Sequence, residues 1–155
     1  MKRRILFTFA LLMIFLAGCD MAGPEERAIR EMCKTLVVAI DNNNEDLAFA
    51  CIIDRVAFNT LNPSAGARTD AESYIDDFLS ELVHTFRYYA AKYKDKDIKF
   101  KKFLIGQQIY QYKGFSAFQD NRIIIDVSGT EEVIEVGVIV RIGDKWRIVE
   151  IARND

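Results

Sequence analysis

VIEVGVIVRIGDKWRIVEI, residues 133–151, decides the fold class. Apolar residues alternate with polar or small ones on both sides of Gly143-Asp144, which is the period of a half-buried strand. Gly143-Asp144 is a tight-turn pair, so the two halves read as an antiparallel hairpin. Ile134, Val136, Val138, Val140 and Ile142 fall on one face, with Trp146 and Ile148 expected opposite them across the turn. The same period of two runs through Ile98-Lys99-Phe100-Lys101, and through stretches of IYQYKGFSAF and RIIIDV upstream. About four antiparallel strands are therefore expected after residue 96.

Before residue 96 the period is helical. Pro24-Glu25-Glu26 starts a helix, since proline suits the first turn and acids suit the positive end of the dipole. Ile29, Met32, Cys33, Leu36, Val37 and Ile40 then share one face. After Asn42-Asn43-Asn44 a second helix is expected over 45–58, apolar around much of its girth and well buried. Residues 59–67 read as a loop. Thr69 and Glu72 have capping-box spacing, and a third helix follows with Ile75, Phe78, Leu82, Phe86, Tyr89 and Tyr93 on one face. Three helices followed by strands predict an α+β layer fold, with the helices packed on one face of a curved sheet.

The N-terminus carries an address. Lys2-Arg3-Arg4 precede an apolar run over 5–17, which covers roughly 20 Å as a helix against a bilayer core of about 30 Å. That is the layout of a secretory signal. Leu16-Ala17-Gly18-Cys19 resembles the lipobox of bacterial lipoproteins. The resemblance implies a diacylglyceryl group on Cys19 and cleavage between Gly18 and Cys19. It further implies that Asp20 favours retention at the periplasmic face of the inner membrane, with the outer membrane as the alternative. Residues 1–18 are then the signal, 19–23 the lipidated cysteine and a tether, and 24–155 a single domain. Asp20 to Gly23 spans only about 14 Å at full extension, so the domain is expected close to the bilayer.

Residues 19–155 hold eighteen basic and twenty-three acidic side chains, a net charge of −5 that argues against nucleic acid as the partner. Cys33 and Cys51 remain once Cys19 is set aside. An even remainder in an oxidising compartment suggests a disulfide, and two buried thiols explain the same pair. AKYKDKDIKFKK, residues 91–102, offers a basic run to anionic headgroups, though a solvated helix end and edge strand account for it as well.

AIDNNNEDLAFACI, over 39–52, followed by long strands ending in GDKWRIVEI resembles the nuclear transport factor 2-like superfamily. The resemblance implies a cone, in which a curved sheet wraps around helices, and in several members an acid, tyrosine or histidine inside it. None of these is found here with matching placement. His84 falls off the apolar face of its helix, and Asp126 points opposite to Ile123, Ile125 and Val127. Tyr74, Tyr88, Tyr89, Tyr110 and Tyr112 suit a cavity wall, a core or a rim. No catalytic residue, metal cluster or cofactor is expected beyond the lipid on Cys19. The opposite sheet register holds Ile124, Ile139, Val149 and Ile151 among Arg141 and Arg147, an expected contact surface for a twin subunit or an envelope protein unless the C-terminal strand covers it. The function expected is a non-catalytic binding or interaction module, taking a partner or a small apolar ligand. An isomerase- or cyclase-type enzyme and a structural subunit of an envelope complex are the alternatives.

Overall fold

The computed structural model describes residues 23–63, 70–112 and 115–153. The expectations for the signal, Cys19 and Asp20 lie outside these residues, as does Thr69 of the capping box. The chain forms α1 (Pro24–Asp41), α2 (Glu45–Phe49), α3 (Arg55–Leu61) and α4 (Ala71–Lys92). Strands β1 (Ile98–Leu104), β2 (Gln107–Tyr112), β3 (Phe115–Val127), β4 (Thr130–Ile142) and β5 (Lys145–Ile148) follow. All strand pairs are antiparallel, in the order β1-β3-β4-β5, with β2 also on β3. Leu104 stands opposite Arg122 and Gln107 opposite Gln119, so β1 and β2 keep one register along β3. They are one edge strand interrupted at Ile105-Gly106, and the five strands make four rows. α1 touches both β1 and β5, the two ends of the order, which requires the sheet to curl into a half-barrel.

The expected second helix is two helices. Asn44 caps α2 by accepting from the Leu47 amide at 3.0 Å. The helix stops after Phe49, and Cys51-Ile52-Ile53 runs extended beside β5: the Ile148 amide donates to Cys51 O and the Ile53 amide to Ile148 O, both at 2.9 Å. Two adjacent β-branched isoleucines prefer this extended state, and Asp54 starts α3 afresh by accepting from the Ala57 amide at 2.8 Å. α1 and α4 bury the faces expected of them, including Ile29, Cys33, Leu36, Phe86, Tyr89 and Tyr93. Among the described residues the hydrophobic core runs from Ile29 to Ile151.

The expected contact surface is corrected by the hairpin's register. A two-residue turn sets Ile142 opposite Lys145, Arg141 opposite Trp146 and Ile139 opposite Ile148. Trp146 and Ile148 therefore share the face of Ile139 and Arg141, not that of Ile134. Ile139 is fully buried, and Ile124 and Ile151 are buried too. Val149 turns to the other face. Arg147 is half-buried and donates to the carbonyls of Ala50 and Trp146, both at 3.1 Å. Arg141 alone is exposed, and it pairs with Glu25 at 2.9 Å. These six residues form no exposed patch.

Candidate functional site

A cavity of about 230 Å³ lies between the sheet and the short helices. Phe58, Leu61 and Asn62 come from α3 and its end, Tyr74 and Phe78 from α4, and Ile109 from β2. Ala117, Val138, Val140 and Val149 supply the sheet side. Register explains why these four meet: Ala117 pairs with Val140, and the Val149 amide donates to Val138 O at 2.8 Å. Period two then sends all four side chains to one face. On the helical side Phe58 packs tilted against Phe78 at 4.7 Å between centroids, and against Tyr74 at 6.0 Å. Of the ten lining residues eight are apolar, and the other two are an amide and a phenol.

Such a lining favours an apolar guest over water, because a water needs two or more polar partners. An apolar cavity of about 150 Å³ is enough for benzene. Among the described residues the lining holds no carboxylate, imidazole, amine or thiol. Of the tyrosines whose side chains are described, Tyr74 lines the cavity. Tyr89 is buried, and its hydroxyl donates to Ala152 O at 2.7 Å. Tyr88 is half-buried, and the side chains of Tyr110 and Tyr112 lie outside the described ones. His84 is exposed on α4. Asp126 points away from Ile125, and its carboxylate accepts from the Gly129 amide at 2.8 Å, fastening the β3–β4 turn.

An acid beside a tyrosine does exist elsewhere. Glu132 stands opposite Ile125 on the face of the buried Ile134, accepts from the Tyr93 hydroxyl at 2.9 Å and pairs with Lys92 at 3.3 Å. Counting back by two from Ile134 would have found it. The Tyr93 hydrogen bond, with Lys92 beside it, holds the Glu132 carboxyl below its usual range, while burial first and Glu132 second push the Tyr93 phenol up. A carboxyl acting as a general acid needs the opposite shift. The pair fastens α4 to β4.

Cys33 and Cys51 are buried, unlinked thiols. The Cys51 thiol donates to the carbonyls of Met32, at 3.4 Å, and Leu47, at 3.6 Å. Burial pushes Cys51 up to about 11, against the pull of Arg147, and burial followed by Cys51 raises Cys33 as well. Residues 20–155, denatured without reductant, are therefore expected to release two thiols per chain. In the native state alkylation near neutral pH should run about a hundredfold slower than in urea. No thiol after denaturation would instead mean that the pair closes.

Among the described residues no group of His, Cys, Asp or Glu could hold a metal ion, and no helix is long and apolar enough to cross a membrane. Comparison with protein-family profiles, curated proteins and solved structures returned no match.

Proposed function

We propose that the chain is a lipid-anchored binding module of the bacterial cell envelope, of the nuclear transport factor 2-like kind, which holds a small apolar ligand without transforming it. The observation that carries this reading is the cavity. It is formed where two helices meet the sheet, and its described walls are apolar except for Asn62 and Tyr74. Ligand sites of this kind are concave and apolar, with a few polar groups that orient the guest. The order of elements, helices first and then a curled antiparallel sheet, supports the superfamily reading. The lipobox-like Leu16-Ala17-Gly18-Cys19 supports the anchor, with Asp20 favouring the inner membrane.

The test uses N-phenyl-1-naphthylamine, a small apolar fluorophore, titrated into residues 20–155. Saturable binding is expected. Val138→Phe, which fills the cavity from the sheet side, should weaken it at least about tenfold with unchanged circular dichroism. Equal binding by a folded Val138→Phe variant would remove the cavity from the reading.

A further inference from the structure

A second concavity, of about 500 Å³, lies where α1 runs beside β1. It is lined by Arg27, Arg30, Glu31, Lys34, Phe100 and Lys101. Arg27, Arg30 and Lys34 fall at helical spacings of three and four, so they form one stripe roughly 10 Å long. β1 adds Lys101 alongside. The described lining thus carries four cations and one acid, on a chain whose residues 19–155 have a net charge of −5. Lys34 lies 3.9 Å from Glu31, and Lys101 lies 2.5 Å from Glu131. Both pairs are exposed, and exposed pairs exchange readily for other anions. In the basic run over 91–102, Lys92 is held by Glu132 and Lys99 by Asp97.

We propose that this groove docks on anionic phospholipid headgroups, with Arg27, Arg30, Lys34 and Lys101 meeting lipid phosphates. Charge complementarity is one ground. Shape is another, since cations spread along a helix face match a plane of several phosphates better than one enclosed anion. Position is the third, and it rests on the anchor proposed above. Arg27 lies in the first turn of α1, after a tether that spans at most about 14 Å, so an anchored chain holds the stripe at the membrane surface. Adjacent basic residues near an anionic surface each add to binding.

The experiment is vesicle cosedimentation of residues 20–155, which carry the described core and no lipid. One set of vesicles is phosphatidylcholine alone, and the other is an equal mixture with phosphatidylglycerol. Binding is expected only to the mixture, and it should fall as salt is raised. The pair Arg27→Gln and Lys34→Gln, both exposed positions, should lower it about tenfold or more. Neutralising Arg55 and Arg153, which pair with acids of α4 and do not line the groove, should leave it within about twofold. Equal binding by wild type and the groove variant, or no binding to the mixture, would overturn the proposal. Displacement by millimolar inorganic phosphate at constant ionic strength would also overturn it, since that marks a site for a small anion. Palmitate labelling of Cys19 in cells is a separate readout, so failure of the anchor and failure of the groove are distinguishable.

Discussion

Gly106→Ala is expected to lower the unfolding midpoint by about 10 °C or more, or to prevent folding. Gly106 sits at the interruption between β1 and β2, where the edge strand passes closest to β3. A Cβ there would fall inside the carbonyl oxygen of Gln119, and only 2.7 Å from the carbonyl carbon and oxygen of Asp120. These are backbone atoms of a strand paired on both sides, so no rotamer change relieves the overlap. Opening the corner instead would break the register that β1 and β2 share. Two other glycines calibrate the result. A Cβ at Gly23 meets nothing within 4 Å, so Gly23→Ala should cost only the small penalty of alanine at the N-cap of α1. Gly143 has open space but φ of +63° in the hairpin turn, so Gly143→Ala should cost about 1 kcal/mol. Thermal unfolding followed by circular dichroism ranks the three. A Gly106→Ala protein melting with the wild type would mean that the corner is not closed in solution.

The corner also shows where the sequence was legible. Alternation in RIIIDV and in the 133–151 hairpin marked β3 and β4, because each strand has one strongly apolar register. Helical faces in α1 and α4 were legible for the same reason at a different period. Gln119-Asp120-Asn121 interrupts the alternation and reads as a break between FSAF and RIIIDV. The structure carries β3 straight through it, with Asp120 at φ +58° absorbing the bend. A local pattern could not reveal this, because the buried Asn121 answers to a backbone corner that the more distant β1 and β2 make. The break after Phe49 was legible and misread: Ile52-Ile53-Asp54 joins an extended preference to a cap, whereas a count of apolar residues sees only helix. The face of Trp146 was lost to parity across a two-residue turn. The cavity draws on six separate segments whose members look like ordinary core residues, so no single stretch announced it.

Asn121→Leu is the second large effect, expected to cost roughly 2–4 kcal/mol. Asn121 is buried, and its amide closes the same corner from the side of β3. Its Oδ1 accepts from the Gly106 amide at 3.0 Å. Its Nδ2 donates to Phe118 O at 3.0 Å and, more weakly, to Gly137 O at 3.4 Å. Leucine keeps the volume but leaves the Gly106 amide without this acceptor and the Phe118 carbonyl without this donor. An unmade buried hydrogen bond costs more than a made one contributes, so the loss should exceed that of an exposed Asn. Asn121→Asp separates the two halves of the interaction. A carboxylate still accepts from Gly106 but faces two carbonyl oxygens where the amide nitrogen stood. Its folded-state pKa should rise above the unfolded value, because protonation restores a donor. The variant should therefore be least stable at neutral pH and should regain stability as pH falls through that raised pKa, before general acid unfolding sets in. Asn121→Leu has no such dependence, so denaturant midpoints at pH 5 and pH 7.5 distinguish lost hydrogen bonding from lost packing. Gly106→Ala already breaks the bond that Asn121 accepts, so the double variant should cost less than the two singles together. Strict additivity would mean that Gly106 and Asn121 stabilise the corner independently, and that the shared hydrogen bond contributes nothing.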